Sequence, residues 1–291
     1  MIRRVLRNLY FLTFLNGFIL ASLFYFRMEA NYEKNLFQAI RYNINSKFIT
    51  VGSEDSAIVK IMHACHELLV NRESFFGGAQ SANLESDMLE ATSVDLMTAR
   101  GACGSYSLVL ARVLQGYDYQ VRIAQMKVKN VFAAHNIVEV RTRQRWAVLD
   151  PLFDIYFINP DQKLASFDEV KNNWAYYRNQ LPPNYDQSYR YEDVRYTNWT
   201  KIPVLMPMVK KLLDLTIGKQ RADGISLRTY FLRKYEICFN LTMALFLVVL
   251  SFTIFCLIKA KVFPQKNIPV TFSNIYKYAR LRFFDKDFSG Q

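Results

Sequence analysis

The chain has 291 residues, of which 51% are hydrophobic and 15% aromatic, and carries a formal net charge of +12. That is enough for one domain of roughly 200 residues with apolar appendages. With Cys238 and Cys256 in an apolar stretch and only Cys65 and Cys103 outside it, the four cysteines do not make a disulfide framework, and no basic stripe interleaves with aromatics on one element, so the charge does not read as a nucleic-acid surface.

In chain order, the segment from Leu9 to Phe26 is apolar apart from Thr13, Asn16 and Ser22 and follows Arg3, Arg4 and Arg7. It is long enough to cross hydrocarbon about 30 Å thick. It runs into Phe24-Tyr25-Phe26 without a small-x-small cleavage site, so it reads as an uncleaved anchor. A helix follows in which Cys65 shares a face with Ile58, Ile61, Met62, Leu68 and Leu69, which places it in the core. His63 and His66 lie one turn apart beside Glu67. With only three histidines in the chain and no cysteine or carboxylate cluster to complete a site, they read as surface histidines. No metal or cofactor is expected. Phe75-Phe76-Gly77-Gly78 and the Ser/Asn-rich run behind it form a loop that either shapes a cleft or is ordinary loop chemistry.

Gly101-Ala102-Cys103-Gly104-Ser105 opens the next helix, in which Tyr106, Val109, Leu110, Val113 and Leu114 recur at helical spacing before Gly116. A cysteine at a helix N-terminus meets unpaired backbone N–H groups and the positive end of the dipole. Both favour a thiolate and can donate to an oxyanion. Downstream, His135 to Val140 reads as one strand and Trp146 to Asp150 as a second, around the polar turn Thr142-Arg143-Gln144-Arg145. A two- or four-residue loop sets His135 opposite Asp150 or Leu152; either way His135 and Asp150 share a face, unless a bulge breaks the parity. Pro151 ends ladder pairing and leaves Asp150 at a strand terminus. Singly, Cys103 reads as a core cysteine, His135 as a satisfied strand histidine and Asp150-Pro151 as a turn. Together, in this order, they read as nucleophile, base and orienter. Glu139, on the face of His135, is the single acidic candidate for recruiting an amine.

The stretch from Tyr176 to Trp199 is rich in Tyr and broken by Pro182-Pro183; it is expected either to wall a cleft or to pack over the sheet or at the membrane interface. From Val204 to Ile217, Leu205, Met208, Val209, Leu212 and Leu215 line one face opposite Lys210 and Lys211, an amphipathic helix against the domain or on the bilayer. Ser226 is placed to cap the last helix. Ile237 to Ile258 carries no charge and is followed by Lys259, Lys261 and Lys266. Basic charge thus concentrates in both tails, which the positive-inside rule assigns to the cytoplasm despite Arg228, Arg233 and Lys234 at the other end of the second span.

The segment from about Leu84 to Phe157 resembles the core of the transglutaminase-like superfamily, which has a papain-like fold. The resemblance rests on Gly101-Ala102-Cys103 with Tyr106 and Ser107, on Leu114, Gly116 and Arg122, on His135-Asn136 with Glu139-Val140, and on Trp146-Ala147-Val148-Leu149-Asp150-Pro151. It implies a Cys103 nucleophile, a His135 base and an Asp150 orienter. The side chain completing the family's oxyanion hole has no match here. The superfamily includes transamidating enzymes, peptidases, deglycosylating enzymes and inactive members.

The expectation is an α+β chain with a papain-like, transglutaminase-like core of helices and antiparallel sheet held between two transmembrane helices. Its parts are a cytoplasmic tail (1–8), a first span (9–26), the domain (27–200, core 84–157), an amphipathic juxtamembrane region (201–236), a second span (237–258) and a basic tail (259–291). The expected function is thiol-dependent acyl transfer on amide bonds of a peptide, protein or other amide substrate, outside the cytoplasm. The competing reading is a non-catalytic scaffold or a binding protein for envelope peptide or glycan.

Overall fold

The computed structural model describes residues 8–47, 52–76, 92–98, 103–143, 145–183, 185–186 and 188–262. The tails 1–7 and 263–291, the Gly77 loop and Gly101-Ala102 lie outside them. The chain divides into two compact units, Phe24–Asn240 and the pair of segments formed by Met1–Leu23 and Leu241–Gln291.

The second of these contains apolar stretches of two long helices, α1 (Leu9–Lys47) and the last helix, which is continuous from Lys234 to Val262. Both are long and apolar enough to cross a bilayer, as a membrane protein requires. Phe14, Phe18 and Phe24 stand exposed along the first, as do Leu241, Leu245 and Val248 along the last. Asn16 donates through Nδ2 to the Leu12 carbonyl and to Thr253 Oγ1, both at 2.8 Å, a polar contact between two apolar helices.

The unit Phe24–Asn240 is α+β. Helices α2 (Glu54–Phe76), α3 (Thr92–Thr98) and α4 (Cys103–Gly116) precede four antiparallel strands, β1 (Val121–Val128), β2 (Val131–Arg141), β3 (Trp146–Asp150) and β4 (Ile155–Tyr156). Two short helices follow, α5 (Phe167–Asn172) and α6 (Trp174–Tyr177), then strand β5 (Val194–Arg195). Helices α7 (Leu205–Ile217), α8 (Lys219–Asp223) and α9 (Leu227–Tyr230) lead into α10 (Lys234–Val262). The sheet order is β4-β3-β2-β1-β5.

Alternation along the strands sends side chains to two cores. On one face Ile123, Val138, Val140, Ala147 and Leu149 pack against Tyr106, Val109, Leu110, Val113 and Leu114 of α4 and Ile58, Ile61, Met62, Cys65 and Leu69 of α2. Cys65 is wholly buried there, and burial pushes its thiol up to about 12. On the other face Ala124, Met126, Ile137 and Val148 meet Phe157, Phe167, Tyr177, Tyr185 and Tyr191. The aromatic segment therefore packs over the sheet, and part of it also reaches the site below.

Near the second apolar helix one element departs from expectation and another excludes one of its two expected settings. Ser226 precedes α9 but makes no capping bond. Its hydroxyl donates to the Ile123 carbonyl at 2.9 Å and accepts from the Ile123 N–H at 3.2 Å, where among the described residues β1 has no strand partner on its β5 side. In α7 no residue is buried, and Leu205, Met208, Leu212 and Leu215 are all more than half exposed. Among the described residues nothing covers that apolar face, so the helix does not pack its stripe against the domain.

Candidate functional site

The site forms where β3 stops. The β2–β3 ladder runs from Arg141↔Trp146 to Val138↔Leu149, the register of a four-residue loop. Extended past the ladder's end, that register sets His135 opposite Leu152, so the histidine meets Asp150 diagonally. A bulge does occur, but between Met126 and Lys127 where β1 pairs with β2, and the β2–β3 parity survives. His135 Nε2 and Asp150 Oδ2 lie 2.7 Å apart, with both side chains essentially without exposure. Asp150 also accepts from the Tyr191 hydroxyl at 3.4 Å.

Beyond Val138, no described strand pairs with β2 on its β3 side, and Cys103, half-buried as the first residue of α4, meets β2 there at Asn136. Asn136 donates to the Cys103 Sγ through its side-chain Nδ2 at 3.5 Å, and its backbone N–H is a second donor to the sulfur. Ser107 of α4 donates to the Asn136 carbonyl at 3.1 Å, which ties the cysteine helix to the strand. Gly104 is not demanded by space, since an added Cβ would meet Asn136 Nδ2 at an ordinary 4.0 Å.

The electrostatics follow from burial and pairing. Burial pushes the Cys103 thiol up, but the His135 imidazole beside it and the Asn136 donors outweigh that and hold the thiol below its usual range. Burial pulls His135 down, while Asp150 and Cys103 more than compensate and raise it to about 9. His135 Nε2 is committed to Asp150, and Nδ1 makes no hydrogen bond among the described residues, so Nδ1 is the nitrogen left to serve Cys103. The arrangement can hold a thiolate–imidazolium pair with the cation braced by a buried carboxylate.

Cys103, His135 and Asp150, the three residues singled out in the sequence, are thus brought together. Glu139 and the His63 and His66 pair are placed differently. Glu139 is buried and bonded to Arg122 at 2.7 Å, with the Arg122 guanidinium between the rings of Trp146 and Tyr196. It is not available to recruit an amine. His63 and His66 are half-buried rather than free on the surface. They grip the turn after Asp150, His63 through the Asp154 carboxylate and His66 through the Pro151 carbonyl at 2.9 Å. No group of three or more metal-ligating side chains occurs among the described residues.

Sequence reasoning missed several residues of the site. Tyr189 stacks on His135 with ring centroids 4.6 Å apart, and Phe153 covers the same ring at 5.7 Å. Tyr191 adopts φ 52°, a conformation sparse for a bulky residue, to aim its hydroxyl at Asp150. Arg228 of α9 donates through Nη1 to Asn136 Oδ1 at 2.9 Å. The run of Tyr was the only local signal for the first group; nothing near Arg228 in sequence announces its partner. Comparison with protein-family models, with curated proteins and with solved structures finds no match to this chain.

Proposed function

We propose that this protein is a membrane-anchored cysteine-dependent acyl transferase or hydrolase with a transglutaminase-like, papain-like core. The observation that carries the reading is the half-buried Cys103 at a helix N-terminus beside His135, whose far nitrogen is held by the buried Asp150. The Cys103 thiolate attacks an amide carbonyl, His135 gives a proton to the departing amine, and a thioester links acyl group and enzyme. Asp150 fixes the imidazole's tautomer and orientation. Water or a second amine resolves the thioester. Hydrolysis is favoured over transamidation because Glu139, the acidic side chain singled out on that face to attract an amine, is held by Arg122.

The basic tails favour cytoplasmic ends and an extracytoplasmic domain, in a two-pass chain. In intact cells a membrane-impermeant maleimide should then label a cysteine placed at the exposed Tyr176 in a Cys103→Ala background; protection of that site would reverse the topology. Bilayer contact by the uncovered face of α7 fits its exposed Leu205, Met208, Leu212 and Leu215 and its place shortly before the second apolar helix.

The test of chemistry is iodoacetamide labelling against pH, read by peptide mass spectrometry, followed by turnover of a panel of peptide and glutaminyl donors with and without a labelled primary amine. Cys103 should label far faster than the wholly buried Cys65, and His135→Ala should slow Cys103 and move its labelling midpoint to higher pH. Equal labelling removes the nucleophile assignment, and an unchanged midpoint removes it as well. Fast labelling without turnover of any donor moves the protein to the scaffold class.

A further inference from the structure

We propose that the side-chain amide of Asn136 is an oxyanion donor of this site, and that Arg228 is the positioning residue that turns it to that task. The proposal rests on the acyl-transfer reading above and supplies the donor that the resemblance left unmatched.

The orientation of the amide follows from its two neighbours. Arginine can only donate, so the group facing the Arg228 guanidinium at 2.9 Å must be the carbonyl Oδ1. The NH₂ is then left facing Cys103 Sγ at 3.5 Å. A residue one place along the strand from His135 ordinarily points to the opposite face. Here that alternation is useful. The thiol sits where no described strand pairs with β2 on its β3 side, so it can be approached by the imidazole from one face of the sheet and by the amide from the other. When Sγ bonds to a carbonyl carbon, the carbonyl oxygen becomes an anion within a bond length or two of the sulfur. A donor that already touches Sγ is within short reach of it. The backbone N–H groups of the first turn of α4 provide the companion donors. His135 cannot serve in this role, because its proton is needed by the leaving group and its other nitrogen is held by Asp150.

Two reagents separate this role from any effect on the thiol itself. With p-nitrophenyl acetate the thiolate attacks the carbonyl carbon, the C=O electrons move onto oxygen, and the oxyanion collapses to expel p-nitrophenolate and leave an S-acetyl enzyme. With iodoacetamide the thiolate displaces iodide from a saturated carbon and forms a thioether with no oxyanion. The ratio of the two rates at Cys103 cancels changes in thiolate population. It should be measured on the full chain in detergent, with circular dichroism to check folding.

Asn136→Ala should lower the acylation-to-alkylation ratio by about 100-fold, the usual effect of removing one oxyanion donor. Arg228→Met should lower it by less, and Arg228→Lys, which keeps a donor for Oδ1, should recover most of that loss. A ratio within about twofold of wild type in Asn136→Ala, in a folded protein whose Cys103 still outpaces Cys65, overturns the donor assignment and leaves the acyl-transfer reading standing. A wild-type Cys103 no more reactive than Cys65 toward either reagent overturns both.

Discussion

The side chains at the site pull one another's protons in opposite directions, and that sets its pH behaviour. His135 is raised to about 9 from an ordinary 6.5, so its charge supports the folded state fully below about pH 6.5, and that support is lost as pH rises through 9. Cys103 is lowered from 9.0, so its thiolate contributes above the ordinary thiol value, and the contribution is lost as pH falls through the lowered one. The alkylation rate of Cys103 should therefore reach its plateau well below the pH at which an ordinary thiol ionises. Asp150→Asn removes the carboxylate that raises His135 and should shift the alkylation midpoint upward; an unchanged midpoint would mean that the carboxylate does not act through the imidazole. The grouping of Cys103, His135 and Asp150 was legible in the sequence because each carries a local cue, namely flanking glycines, strand parity and a proline stop. Asn136, Tyr189 and Arg228 were not. Their roles arise from contacts across the fold, the Arg228–Asn136 bond spanning 92 residues of chain.

At the scale of elements, two buried polar contacts hold the sheet that carries the histidine. Arg122 and Glu139 face each other across β1 and β2, with the carboxylate side chain 1% exposed. Arg122→Ala strands that carboxylate in the core and should cost about 3–5 kcal/mol. The double change with Glu139→Leu should recover part of it. Ser226→Ala removes both bonds to Ile123 and should cost about 2 kcal/mol. Denaturant unfolding measures all three, and a wild-type-like midpoint in Arg122→Ala would show the pair to be dispensable. Helix α4 and the β2–β3 hairpin were readable because 3.6- and 2-residue periodicities are local properties. The short strands β4 and β5 and the reassignment of Ser226 from cap to strand partner were not, because tertiary pairing decides them.

For the whole molecule, the consequential feature is how far the compact unit reaches toward the second apolar helix. The unit Phe24–Asn240 extends beyond the 27–200 span expected for the domain, and it takes in Ser226, Arg228 and the fully buried Leu232. A chain ending at residue 200 should lose the fold and the Cys103 reactivity together, whereas one ending at residue 240 should keep both. Equal reactivity in the two would show the extra segment to be a spectator.

Tethered proteins are commonly set free by a cut in the stalk between domain and membrane. Here two apolar helices flank the compact unit, so release would take a cut behind each, and a second cut made ahead of Arg228 would also remove the guanidinium that bonds Asn136 Oδ1. A fragment freed in that way is expected to keep Cys103, His135 and Asp150 but to lose the bond that orients Asn136.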